Sequence, residues 1–435
     1  DLYAGIMVGL ISIPLVMAFA IAAGLTPKEG LVTSIIAGAM VSFLGGCRIQ
    51  ISGVTGATVV IVAGVVHQHG KIGLLVATIM AGIILVIIGL ARLGSILKFI
   101  PYPLMVGVTL GIALIIFSLQ IENFLGLNLA ALPDLNLKDF PPEFFPKWQA
   151  YFMALPSYKP VALLVGFGSL LIFIFFKKFL KKIPGVLLTI IIVTLVSYFL
   201  KLETHYEMKT LGSISTTIPW LTVPAFSLNI VRDLVQPAFI IALLVGMESL
   251  MSATVSDSIT GDKHHSNTEL IAQGFANMVT PLFGGMPSSG NLARTAASIQ
   301  YGAKTPVAGI IYALFMLLVF LFLGQFVKYI PMPTIAALLI LISYEMVDLK
   351  SFKSVLKSPR EDVAVMILAL FLTVMVDLIV AIEVGMILAV FLFMRRMAIS
   401  SNVSMLSKDF REQEIKTDPL SIQTRKIPEG VGVYE

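Results

Sequence analysis

The chain has 435 residues, of which 57% are hydrophobic and only 13% charged. A soluble globular domain carries about 25% charged residues, so most of this surface faces lipid rather than water. The 30 basic and 25 acidic residues leave a net charge of +5 without any basic run interleaved with aromatics, which excludes a nucleic-acid surface, and the single cysteine, Cys47, excludes an internal disulfide.

A membrane-spanning helix needs about 20 predominantly apolar residues. Residues 2–27 are uncharged, too long for a signal-peptide core, and predict a first spanning helix. Apolar segments follow at 31–47, 72–91, 99–121, 161–176 and 183–200, with a short Gly- and Thr-led one at 49–66. Beyond a polar stretch come a helix around Glu248, an uncharged run at 270–293 broken by Gly284-Gly285 and Pro287, and segments at 305–327, 329–344, 363–376 and 384–394. The expectation is an all-α membrane protein of about fourteen segments, some of them half-length.

Charge follows the alternation of these segments. With the N-terminus inside, the inside loops hold Arg48, Arg92, Lys98, Lys177-Lys178, Lys181-Lys182, Lys263, Lys350, Lys353, Lys357 and Arg360, and Arg395-Arg396 end the last helix. The outside segments, roughly 123–159 and 201–233, are mixed in charge. This positive-inside bias predicts that both termini are cytoplasmic.

Lys98-Phe-Ile-Pro-Tyr-Pro103 resembles Lys328-Tyr-Ile-Pro-Met-Pro333, and each precedes a long apolar helix. A Gly-Gly pair lies upstream of each, Gly45-Gly46 and Gly284-Gly285, followed by a short Gly/Ser/Thr-rich segment. Seven helices separate the copies, and an odd number inverts one copy relative to the other. Inverted repeats belong to secondary transporters, with the site where the repeats meet. The expected organisation is a first repeat at 1–200, a connection at 201–233, a second repeat at 234–400 and a polar tail at 401–435.

Ser52-Gly-Val-Thr-Gly-Ala57 and Pro287-Ser-Ser-Gly-Asn-Leu-Ala-Arg294 are rich in helix breakers, and each leads into a helical stretch. They read as half-helices whose N-termini meet near the membrane midplane. A helix N-terminus offers free N–H groups and about half a positive charge, which attracts anions. Irregular backbone at this depth survives only inside protein or along a cavity. The plainer alternative is two re-entrant turns with packing glycines.

Arg294 opens the second half-helix. A cation at membrane depth is costly, and its guanidinium can fork onto an oxyanion or carboxylate. It could equally be a structural partner of Glu248 or reach to the surface. Glu248 sits in the apolar run Ala242–Ser252, with Ser252 one turn on along the same face. Such a carboxyl can couple anion entry to proton entry, or form a static hydrogen bond. Asp257, Asp262, His264 and His265 read as a solvated loop, Asp377 and Glu383 as helix caps or vestibule residues, and no metal signature is present. Nor does any serine, cysteine or metal triad at membrane depth have the spacing of an intramembrane enzyme.

Glu248-Ser-Leu, Asp257, Gly261-Asp-Lys-His-His-Ser-Asn-Thr-Glu269, Gly284-Gly285 and Leu292-Ala-Arg-Thr295 together resemble the sulfate permease (SulP) family, as does Ile13-Pro-Leu-Val-Met-Ala-Phe-Ala20. The resemblance runs over about residues 1–400. It implies fourteen segments in a seven-plus-seven inverted repeat divided into core and gate domains. It implies an anion held between the third and tenth segments, lined by Phe19, Val54, Thr55, Gly56, Leu292, Ala293 and Arg294. By the same resemblance Glu248 is the acidic residue of proton or sodium coupling, with Ser252 beside it. The family commonly dimerises through a cytoplasmic STAS domain, and Lys426–Tyr434 resembles the opening strand of one. Leu15 and Val32 depart from the Gln and Tyr common in the family.

The resulting expectation is a secondary carrier of small anions in a bacterial inner membrane, working by alternating access without a cofactor beyond its coupling ion. Cyanobacterial bicarbonate carriers of the family lack the arginine at this position, whereas proteobacterial dicarboxylate carriers have an Ala-Arg pair. The resemblance therefore puts proton-coupled C4-dicarboxylates (fumarate, succinate) first. A sulfate or bicarbonate carrier, sodium-coupled or not, comes second, and an anion channel is the reading from another class.

Overall fold

The computed structural model describes residues 1–94, 101–129, 144–179, 184–212, 217 and 228–400. Lys98 of the repeated motif, most of the 201–233 connection and the whole of 401–435, where a STAS strand is expected, lie outside the described residues. The chain divides into two compact units, Asp1–Met386 and Ile387–Glu435. The described part of the second is the end of the last helix.

The architecture is helical, as expected. The first half contains α1 (Leu2–Ala22), α2 (Pro27–Leu44), α3 (Gly56–Leu90), α4 (Tyr102–Leu125), α5 (Phe144–Ala154), α6 (Pro160–Phe179), α7 (Gly185–Phe199) and the short α8 (Leu202–Tyr206). The second contains α9 (Leu228–Thr260), α10 (Ser266–Val279), α11 (Leu292–Gln300), α12 (Val307–Leu323), α13 (Met332–Met346), α14 (Leu349–Leu356), α15 (Arg360–Met375) and α16 (Leu378–Ser400). Helix α3 is broken at Gly70, whose φ of 67° is left-handed, so it supplies two segments of the expected series. Among the described residues, counting α3 twice and setting aside the short α5, α8 and α14 gives seven segments in each half. Among the described residues, seven helices are long and apolar enough to cross a bilayer unaided.

Local chemistry sets the helix ends. Thr26 and Glu29 form a capping box at the start of α2, with Pro27 in the first turn, where its missing N–H costs nothing. Pro101 and Pro331 cap α4 and α13, and Pro103 and Pro333 follow in the first turn of each, so the repeated Pro-x-Pro does the same work twice. Left-handed Gly126 stops α4.

The helices pack as two bundles. One joins α1, α2, α3 and α9 to α12; the other joins α4, α6, α7, α13 and α15. In the first, α3 and α10 touch backbone to backbone: a Cβ on Gly82 would lie 2.6 Å from the Gly274 carbonyl oxygen, and one on Gly274 would lie 2.7 Å from that of Gly82. These bundles are the core and gate of the inverted-repeat fold.

Polar contacts tie the loops together at two opposite ends. At the end carrying Asp1, the Asp1 carboxylate accepts from Lys304 and Thr305, the His265 N–H donates to the Gly46 carbonyl, Tyr102 meets Ser351, and Lys177 pairs with Glu345. At the far end, Lys71 pairs with Glu29, Lys159 with Glu207, Lys209 with Glu122, and Gln236 donates to Glu383.

Candidate anion and coupling site

The two breaker-rich segments meet. Strand β1 (Ser52–Gly53) runs antiparallel to β2 (Ser289–Gly290), pairing Ser52 with Gly290 and Gly53 with Ser289. Helix α3 begins three residues after Gly53 and α11 two residues after Gly290. The half-helices therefore start on either side of one short ribbon. At α11 the Asn291 Oδ1 caps only the Arg294 N–H, at 2.9 Å, leaving the Leu292 and Ala293 N–H groups to face whatever lies ahead of the helix.

Helices from both halves hold the ribbon. The Gly290 N–H donates to Ser249 Oγ and the Gln50 amide to the Ser249 carbonyl. Ser52 donates to Gln273, and Gln273 to Glu269, whose other oxygen accepts from the N–H groups of Gly46 and Cys47. Asn277 binds Ser288 through both its amide groups, and Thr33 of α2 receives the Met286 N–H at 2.8 Å. Helix α10 of the second half thus grips the entry strand of the first, and α2 of the first grips the entry of the second. Irregular backbone inside the membrane needs such partners.

The Gly53–Ser289 pair of the ribbon lies against both a buried cation and a carboxylate. Arg294 is 3% exposed. Its Nη2 donates to the Val54 carbonyl, Nη1 lies against Gly53 near Ser34, and both Nε and Nη1 lack a protein partner, as does Ser34 Oγ. The Glu248 carboxylate accepts from Thr55 Oγ1 at 2.6 Å and Ser289 Oγ at 2.5 Å, and those hydroxyls are 3.0 Å apart. Among the described residues no ion pair joins Glu248 to Arg294. Arg294 is thus a buried guanidinium with unused donors, and Glu248 a carboxylate at a three-oxygen cluster.

The residues named by resemblance fall around this crossing. Phe19, with Met346 of α13, covers the first turn of α3: a Cβ on Gly56 would lie 3.4 Å from the Phe19 ring and 3.0 Å from Met346 Sδ. Val54 and Thr55 contact Arg294 and Glu248, while Leu292 and Ala293 lie exposed at the start of α11. Ser252 is elsewhere. It is fully buried and donates to Thr295 Oγ1, which also receives the Ile51 N–H. Ser289, Ser34 and Met346 are missing from the sequence-based set. Ser289 had a signal, because Ser-Gly occurs at the same place in both breaker segments; Ser34 and Met346 had none.

One loop differs from expectation. Instead of a solvated loop, Asp257 Oδ2 accepts from the His264 N–H and contacts its Nδ1 at 2.6 Å, while His264 Nε2 meets Ser266 Oγ at 2.9 Å. The His264 side chain is only 4% exposed, so the turn from α9 into α10 is clasped by its own polar groups.

An inverted-repeat helical bundle with two half-helices meeting at a buried cation is the architecture of a membrane transport protein. The model of the Sulfate permease family matches residues 1–369, and the chain belongs to that family. It is 39% identical to YvdB of Bacillus subtilis over 93% of this chain and 75% of that one. It shares 25% identity and a TM-score of 0.76 with the transmembrane domain of a cyanobacterium bicarbonate transporter, BicA, over 90% of this chain and 96% of that one. The murine Solute Carrier 26 family member A9 anion transporter, at 19% identity and a TM-score of 0.82 over 91% of this chain and 68% of that one, shares the fold. The protein is a multi-pass anion transporter of the membrane, not an enzyme.

Proposed function

We propose that the protein is a secondary active carrier of small oxyanions, with sulfate first, holding the anion where the N-termini of α3 and α11 meet. The carrying observation is Arg294: at 3% exposure it keeps Nε and Nη1 free of any protein acceptor. A buried charge is costly unless something compensates it, and an anion ahead of α11 supplies that charge at the place where two helix N-termini favour it. Phe19 and Met346 cover the site from α1 and α13, one in each bundle, as alternating access requires. Sulfate comes first because YvdB is named provisionally as a sulfate transporter; BicA puts bicarbonate next. The C4-dicarboxylates favoured by the Ala293-Arg294 pair drop behind both.

Glu248 is the coupling group in this reading. Its carboxylate with Thr55 Oγ1 and Ser289 Oγ makes an oxygen cluster that takes up a proton or, as hard ligands, a sodium ion. Thr55 stands between the two roles, since it begins α3 and binds Glu248. Cytoplasmic termini, a bacterial inner membrane and a homodimer complete the reading.

Proteoliposome uptake of labelled sulfate, bicarbonate, succinate and fumarate, under a pH gradient, a sodium gradient or neither, tests it. Concentrative uptake of one oxyanion under one of the gradients is the expected result. Flux that only ever equilibrates the anion indicates a channel and overturns the carrier reading.

A further inference from the structure

We infer that the cleft between the two bundles at the far end is a binding site for one acyl chain of an anionic phospholipid. The cleft is a cavity of about 550 Å³, walled by α1, α2 and α12 on one side and by α7 and the 3₁₀ turn Gly324–Tyr329 on the other. Its lining is almost wholly apolar, including Ile13, Leu31, Ile191 and Val319. Cavities of about 300–1,000 Å³ are the size that bury a small ligand.

Three features select the occupant. The first is length. The α7 wall runs from Leu187 to Tyr198, which at the rise of an α-helix is about 16 Å. A bilayer's hydrocarbon core is about 30 Å thick, so the cleft spans one leaflet. The second is access. Ile191 is 44% exposed, Leu195 50% and Phe326 56%, so the walls run directly into the lipid-facing surface and a chain enters sideways. The third is the rim. Tyr198 and Tyr329 stack edge to face there, with centroids 5.2 Å apart, and the Lys328 ammonium lies 4.8 Å from the Tyr329 ring centre. Tyrosines mark the headgroup level, and an exposed lysine beside them complements a phosphate.

One polar atom interrupts the apolar wall. Thr194 Oγ1 is buried without a partner in the protein. Helical side chains lean toward the helix N-terminus, which brings the Tyr198 ring back to the level of Thr194. The ester carbonyl at the head of an acyl chain can accept from that hydroxyl.

The test is native mass spectrometry of the whole protein released from nanodiscs of equal phosphatidylglycerol and phosphatidylcholine. The expected result is one phosphatidylglycerol retained per chain. Ile191→Trp, which fills the cleft, should lower that occupancy at least fivefold. Lys328→Gln, an exposed change that leaves packing alone, should keep one lipid but remove the preference for phosphatidylglycerol. Wild-type protein that retains no lipid, or full occupancy in Ile191→Trp, overturns the proposal. Retention with unchanged preference in Lys328→Gln overturns the headgroup assignment. Should Ile191→Trp fail to fold, bromine-labelled acyl chains quenching a Leu195→Trp reporter decide the same point, with no quenching counting against it.

Discussion

Arg294 and Glu248 both sit against a ribbon four residues in all, and each is held there by groups from the other half of the chain. Their different partners give them separable predictions. Arg294→Ala removes the cation at the half-helix N-termini, and losing one partner of a buried charged hydrogen bond costs about 2–5 kcal/mol. Anion affinity measured by equilibrium binding should fall on the order of 100-fold or more, and Arg294→Lys should recover little of it, because an ammonium lacks the planar fork. Glu248→Gln should keep anion exchange while uptake loses its dependence on the driving ion gradient, read out by counterflow against gradient-driven uptake. Gly53→Ala should disable binding without removing either charge, since the added Cβ would collide with Arg294 Nη1 and approach Ser34 Oγ at 3.1 Å. Of these residues, Arg294 and Glu248 were legible because charges inside apolar runs are rare. Ser34 was not: a small hydroxyl residue in a helix leaves no trace in hydropathy or spacing, and its role depends on where a strand 18 residues later returns.

Helices α3 and α10 approach more closely than side chains allow, and glycine is what permits it. Gly82→Val or Gly274→Val should lower the melting temperature of purified protein, because overpacking a filled interior costs about 1–3 kcal/mol. Gly64→Ala, which meets open space, should not. At the Asp1 end, α14 is capped by Asp348, whose carboxylate accepts from the Ser351 hydroxyl at 2.5 Å and from the Lys350 and Ser351 N–H groups. The Ser351 hydroxyl, ahead of the backbone groups, holds the Asp348 carboxyl below the usual carboxylate range. A lowered value means that the cap contributes above the ordinary aspartate pKa, about 3.9, and is lost as pH falls through the folded value. Hydrogen exchange in α14, corrected for intrinsic rate, should therefore speed up on acidification below about pH 4, and Asp348→Asn should remove that dependence. The full-length helices were plain from apolar runs, and α4 and α13 even from their Pro-x-Pro starts. The β-ribbon was not, because strands of two residues have no period to read.

Across the whole molecule, the paired ends fix which loops share a side. A membrane-impermeant maleimide should label Lys71→Cys in intact cells and Lys177→Cys only after permeabilisation, with the buried native Cys47 silent in both. Labelling of both from one side would break the alternation of the helices. The two-bundle fold was readable in outline from the order of segments and the repeated motif. Which helices form which bundle was not, because hydropathy records depth in the bilayer rather than neighbours.

The ribbon also sets a schedule for synthesis. Ser52 and Gly53 need partners at Gly290 and Ser289, more than 230 residues downstream. At about 5–20 residues per second, that interval is on the order of ten to fifty seconds. Throughout it the first half-helix has its N-terminus in the membrane and its entry strand unclaimed. The first repeat alone therefore has no settled structure at its centre, and the site comes into being only when the second repeat threads beside it. Expressing the halves as separate polypeptides should restore binding only when both are present in one membrane.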